Sequence, residues 1–224
     1  MGSLATRVGE DGPVDLLTIA PDGEGSAEIE VKRSRFLAVV ARIDSEDGAK
    51  ALLGQARREH HDARHHCSAF VLHVNGQGDR TRSSDDGEPS GTAGLPILQV
   101  LLGAGLSDVA AVVTRYFGGT LLGAGGLVRA YSAATAAAVA AAVTVRRRRL
   151  ELLTLAVDHA VAGRVESELR SRGVVITGTE YGPSAVLTLA VPAFSDEVAG
   201  TVASVTAGAG VLRPAGFRWV DVRS

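Results

Sequence analysis

Three segments between His60 and Tyr131 hold most of the side chains in this sequence that could do chemistry. The first, His60-His61-Asp62-Ala63-Arg64-His65-His66-Cys67, sets four histidines and a cysteine within eight residues. Such donors bind metal ions. Adjacent side chains point apart on most backbones, however, and neither a Cys-x-x-Cys nor a His-Glu-x-x-His spacing is present. The same stretch also reads as a loop entering a buried strand, with Cys67 a small core residue and His65 or His66 a hydrogen-bonding group in a cleft. The second segment, Ser84 to Gly94, places Asp85, Asp86 and Glu88 within four residues. Those carboxylates could hold Mg²⁺ or grip basic groups on a partner, or they could form a solvated turn in which Thr92 caps a helix.

The third segment runs Thr114-Arg115-Tyr116-Phe117-Gly118-Gly119 and then Leu122-Gly123-Ala124-Gly125-Gly126-Leu127-Val128-Arg129-Ala130-Tyr131. A glycine-rich turn opening a helix presents backbone N–H groups beside the positive end of the dipole, which suits an anion. Arg115 and Arg129 add forked donors for phosphate or carboxylate, and Tyr116 and Tyr131 offer faces for stacking. The alternative is that Gly118, Gly119, Gly125 and Gly126 only let helix and sheet approach closely. No Gly-Lys-Ser/Thr closes the stretch, and its glycines lack dinucleotide-binding spacing. No serine sits in a Gly-x-Ser-x-Gly elbow, and burial of Cys67 would raise its pKa, so hydrolysis has no positive support.

The elements that must position these segments follow from periodicity. Ala27–Val31 and Phe36–Ile43 read as strands, with a helix from an Asp44 cap to about His60 carrying Ala49, Leu52, Leu53 and Ala56 on one stripe. Ser68–Val74 suits a buried strand, and Asn75, Gly76 and Gly78 mark a turn. Arg80–Gly94 is polar throughout and reads as a loop, followed by a helix over Leu95–Leu102 with Pro96 in its first turn. Val109–Tyr116 alternates, so that Arg115 ends an apolar row, and a second helix runs to about Ala142. The pattern resets at Arg146–Arg149: Glu151–Asp158, a helix carrying Val161, Val165 and Leu169, a hairpin of Val174–Tyr181 with Ala185–Val191, a helix marked by Val198 and Val202, and a last strand over Val211–Val222. That order is βαββαβ. The division expected is an extension over 1–20, a first domain over 21–145, a linker over 146–150 and a second domain over 151–224, in an α+β fold. The extension reads as a loose leader or an added edge strand.

Bulk properties narrow the function classes. The 224 residues suffice to bury a real core. Aromatics are only 4%, so that core is built mainly from Val, Leu and Ala. Net charge is −2, with 13 Lys+Arg against 17 Asp+Glu in residues 1–145 and 10 against 8 in 146–224. A nucleic-acid site must then be a local patch, for which Lys32, Arg33 and Arg35, with Arg64, Arg115 and Arg129, are the candidates. One cysteine forms no internal disulfide, which fits a reducing compartment. No apolar run of membrane-spanning length occurs, so the expected location is cytoplasmic.

Val31-Lys32-Arg33-Ser34-Arg35-Phe36, Asp62–Cys67, Ser84–Gly94 and Val113–Tyr131, in that order and spacing, resemble the YigZ/IMPACT family. Ser83 departs from the pattern, since relatives often have an aromatic residue there. The resemblance implies a first domain similar to the ribosomal protein S5 domain 2-like fold, as in domain IV of elongation factor G. It implies a ferredoxin-like second domain, as in that factor's domain V. It also implies a role near translation. The partner expected is structured RNA, the ribosome or a translation factor, bound through a cleft in the first domain by Arg64, His65, His66, Asp85, Asp86, Glu88, Arg115, Tyr116, Gly118, Gly119, Gly125, Gly126, Arg129 and Tyr131. The alternatives are a protein-interaction module using the acidic loop and a small-molecule or nucleotide-binding enzyme using the same cleft. No cofactor is expected apart from Mg²⁺ as an option at the acidic loop.

Overall fold

The computed structural model of the chain describes residues 15–75 and 77–222. The expectations for residues 1–14 and for Gly76 lie outside them. By its internal contacts the chain divides into two compact units, one of residues 16–146 and one of residues 147–222 with Asp15, among the described residues.

The first unit contains most of β1 (Asp15–Ile19), then β2 (Gly25–Val31), β3 (Ser34–Arg42), α1 (Glu46–Glu59), β4 (His65–Val74), β5 (Gly78–Ser84), α2 (Gly94–Gly103), β6 (Val109–Tyr116) and α3 (Ala124–Ala141). Its antiparallel sheet runs β2-β3-β6-β4-β5. Strand alternation sends Phe36, Val40, Cys67, Val71, Ala111 and Val113 into one core, against Ile97 and Leu101 of α2 and Leu127, Ala130, Tyr131 and Ala134 of α3. The opposite residues Phe70, Leu72 and Ala110 pack with Ala49 and Leu52 of α1. Each aliphatic side chain so buried contributes about 1.5–3 kcal/mol. β6 is central and covered on both faces, which is why its sequence is almost unbroken apolar.

Several local expectations need correction. The polar run Arg80–Ser84 is a strand, not a loop: β5 pairs with β4 from Val74↔Gly78 to Ser68↔Ser84. It is a sheet edge exposed along its whole length, so it carries no alternating apolar signature. The first helix is capped by Ser45, whose Oγ accepts from the Gly48 N–H, and not by Asp44. Thr92 does not cap α2, because its hydroxyl donates to the Pro89 carbonyl.

The second unit holds most of β7 (Thr144–Val157), α4 (His159–Ser171), β8 (Val175–Tyr181), β9 (Ala185–Val191), α5 (Asp196–Val205) and β10 (Leu212–Val222). Its strands run β8-β9-β7, and β10 also pairs with β7, the split βαβ arrangement of ferredoxin-like domains. Leu153, Leu155, Leu187 and Leu189 form its core with Val165, Leu169, Val202 and Val205 of the helices. The stretch 146–150 is not a linker, since it lies inside β7. Three of its arginines are held in place: Arg148 donates to Asp15 at 2.9 Å, Arg149 pairs with Glu151 at 2.9 Å and stacks on Phe217, and Arg147 stacks on Trp219.

Candidate nucleic-acid interface

A cleft of about 450 Å³ in the first unit is lined by parts of all three chemistry-bearing segments. The start of β4 supplies Arg64 and His65, the loop after β5 supplies Glu88 and Pro89, and the end of β6 supplies Arg115 and Phe117. Leu121, Leu122, Gly123, Ala124 and Leu127 complete it from the turn that opens α3. A smaller hollow of about 210 Å³ beneath α1, lined by Leu53, Phe70 and Ala110, offers less chemistry. Its rim charges Arg82 and Glu46 are paired with each other, and Lys50 is paired with Asp47.

Arg115 forms the floor. It is 6% exposed, and its guanidinium lies between the rings of Phe36 and Phe117, 5.5 and 5.7 Å from their centroids. Nη1 donates to Glu88 Oε1 at 2.7 Å, and Nε is buried without a hydrogen-bond partner. Glu88 Oε1 also accepts from the Tyr131 hydroxyl at 2.7 Å. Behind that hydroxyl lies Cys67 Sγ, at 3.3 Å. Burial pushes the Cys67 thiol up to about 12 and raises the Tyr131 phenol as well, so both are neutral at physiological pH.

The acidic loop folds inward onto three different partners. Asp85 accepts the backbone N–H groups of Gly91, Ala93 and Gly94 at 2.8–3.0 Å and so caps α2 from outside the helix. Burial opposes ionisation of Asp85, but the three N–H groups outweigh it and hold the carboxyl below its usual range. Asp86, with φ of +43°, accepts from Arg57 Nη2 at 2.7 Å and from the His66 N–H at 2.6 Å. Its carbonyl accepts from His65 Nδ1 at 2.9 Å, which places a proton on that nitrogen. Among the described residues, no group of three or more His, Cys, Asp or Glu side chains is arranged to hold a metal ion.

The remaining candidates separate. His66 is buried on the α1 side of the sheet, with Nε2 on the His60 carbonyl at 3.1 Å, and burial lowers its pKa. Tyr116 lies on that side too: its hydroxyl donates to Asp62 at 2.9 Å and meets His60 Nδ1 at 3.2 Å, while Arg35 covers its ring. Tyr131 is 0% exposed and cannot stack on a ligand. Arg35 is paired with Glu28 at 2.6 Å, which removes it from the basic patch. Lys32 and Arg33 form the two-residue tip of the β2–β3 hairpin, where Arg33 Nη2 donates to Thr120 at 3.2 Å. The tip rests on Gly118, whose N–H donates to Ser34 Oγ, and a Cβ there would overlap the Arg33 carbonyl. Gly119 sits at φ of +80°. Gly125 and Gly126 form the first turn of α3: a Cβ at Gly126 would press on Leu122, and one at Gly125 would stand 3.5 Å from the Arg129 guanidinium. Arg129 is exposed and folds back over that turn.

Cleft residues absent from the sequence candidates include Phe117 and Leu121, which are 48% and 83% exposed. Alternation along β6 contained the signal for the first, because Phe117 follows Arg115 by two and so shares its side. What the cleft can do chemically is bind an anion against an apolar wall. The α3 N-terminus has Gly123 as its cap, no capping side chain and no acid in its first turn. Arg64 makes no hydrogen bond or ion pair with any described residue, and it stands at the same opening.

Comparison with known proteins places these features in a group. Residues 32–139 match the model of the Impact N-terminal domain, and residues 155–209 match a domain of unknown function. The IMPACT family member YigZ of Escherichia coli is 40% identical over 164 residues, covering 73% of this chain and 80% of the relative. The IMPACT family member YvyE of Bacillus subtilis is 39% identical over 158 residues, covering 70% and 71%. A crystal structure described as that of a hypothetical protein superposes with a TM-score of 0.65 at 36% identity, covering 88% of this chain and 96% of the other.

Proposed function

This chain belongs to the IMPACT family, and on that premise we propose that it is a translation-associated binding protein whose first unit engages RNA through the cleft floored by Arg115. The translation setting follows from the family resemblance, and the RNA contact follows from the site. The observation that carries it is the state of Arg115: a guanidinium 6% exposed, with Nη1 on Glu88 and Nε without a hydrogen-bond partner among the described residues. A buried donor left unmatched costs about 1–3 kcal/mol, and Arg115 lines the cleft into which a phosphate would enter. Arg64 and the uncapped amides of α3 supply further positive charge. Phe117 offers an exposed face on which a base can stack, an interaction worth about 1–3 kcal/mol.

The acidic loop does not oppose this reading. Asp85, Asp86 and Glu88 are each engaged by internal donors, so their charge is compensated locally. For the same reason the loop has little to offer a basic protein partner. A fluorescently labelled RNA stem-loop with a single-stranded tail provides the test, read by anisotropy. Arg64→Ala and Phe117→Ala, both at exposed positions, should each weaken binding by about fivefold to tenfold. Unchanged affinity in the double variant would remove the cleft from RNA binding.

A further inference from the structure

The cleft sets a buried arginine and an exposed one against an apolar wall. We propose that it takes a phosphorylated end of single-stranded RNA, a proposal that rests on the RNA reading above and makes it specific. The terminal phosphate sits on Arg115, Arg64 and the first-turn amides of α3, and the terminal nucleoside lies against Phe117 and Leu121.

Three observations lead there. The first is reach. Arg115 lines the cleft but is only 6% exposed, whereas Phe117 beside it is 48% exposed. A phosphodiester within a strand carries a sugar on either side and stops at the rim, whereas a terminal phosphate projects beyond the chain and can reach the floor. The second is size. About 450 Å³ lies in the range of a small-molecule site and is on the scale of one nucleotide, not of a continuous groove. The third is charge. A phosphate monoester carries about −1.5 to −2 at neutral pH. Opposite it stand two guanidiniums and the helix dipole, of about +0.5. The Glu88 carboxylate on the same floor is occupied by Arg115 and Tyr131. The buried Arg115 guanidinium, whose Nε has no hydrogen-bond partner among the described residues, is the feature that a bare helix terminus would lack.

The experiment uses the full chain and one ten-nucleotide single-stranded RNA in three forms: 5′-phosphate, 3′-phosphate and both ends hydroxyl. Adenosine monophosphate serves as a competitor. One phosphorylated form should bind on the order of tenfold tighter than the hydroxyl form, and Arg64→Ala should reduce that ratio toward one while its melting temperature stays that of the parent. Equal binding of all three forms, still weakened by Arg64→Ala, would overturn end recognition and leave RNA binding intact. Binding of adenosine monophosphate with no RNA form bound would overturn the RNA reading and make the cleft a small-molecule site. No binding of any probe would overturn both.

Discussion

Glu88 and Arg115 face each other with 4% and 7% of their side chains exposed, so neither charge is shared with water. As a pair they add little net stability, because desolvation offsets their attraction. Removing one charge is a different matter. Glu88→Gln keeps the shape and an acceptor for Tyr131 but leaves Arg115 buried without a counter-charge, a loss of about 3–5 kcal/mol. Urea unfolding should show this as a lower midpoint at unchanged slope. Asp85 and His66 set the acid limb of stability in two separate windows. The His66 pKa is depressed in the fold, so the folded chain binds fewer protons than the unfolded one as pH falls below about 6.5. Stability should therefore drop between pH 7.5 and 5.5, and His66→Asn should flatten that drop. The Asp85 carboxyl is also held low, so its contribution is complete above about pH 4 and is lost as pH falls through the folded value. Asp85→Asn should cost about 1–2 kcal/mol at pH 7, the loss of a helix cap, and should show a shallower stability loss below pH 4 than the parent. Urea midpoints across pH for the three chains separate the windows.

Between β2 and β3 the chain turns on Lys32 and Arg33, both in the left-handed region with φ of +48° and +65°. A two-residue hairpin of this kind favours Asn-Gly, and each side chain with a Cβ held there costs about 1–2 kcal/mol. Such strain persists where side chains are needed for more than the turn. Replacing Lys32-Arg33 by Asn-Gly should raise the melting temperature and weaken RNA binding together. A rise in stability with unchanged binding would show that the tip takes no part. At the neighbouring turn, Gly118→Ala forces a Cβ into the Arg33 backbone and should destabilise by about 1–3 kcal/mol or more. The elements themselves were largely legible, because β6, α3 and the βαββαβ order declare their periods. What was not legible depends on partners far along the chain. β5 looked like a loop because an exposed edge imposes no alternation. The acidic loop looked like a site because only the folded chain brings Gly91, Ala93 and Gly94 onto Asp85, and Arg115 onto Glu88. Tyr131 and Phe117 changed places as stacking candidates for a similar reason: α3 turns one into the core, and β6 leaves the other at the cleft mouth.

At the scale of the whole molecule, charge limits how RNA can bind. The chain is −2 overall and its first 145 residues are −4, yet the proposed RNA contacts lie there. That is consistent only if few phosphates are touched and the surrounding carboxylates are occupied, as Asp85, Asp86, Glu88 and Glu28 are. Lys32 and Arg33, on a hairpin tip bonded to Thr120 beside the cleft, would join Arg64 and an Arg115 half-neutralised by Glu88 to give about three phosphate contacts. For single strands the slope of log affinity against log salt is about −0.7 per contact, which gives about −2 here, or roughly a fifteenfold loss from 50 to 200 mM salt. A protein binding through an extended basic surface would give a much steeper slope. Arg64→Ala should bring the slope to about −1.4, and the Asn-Gly hairpin should bring it lower still. A slope that is steep and indifferent to all of these changes would move the interface to residues 146–224, where ten Lys and Arg stand against eight Asp and Glu.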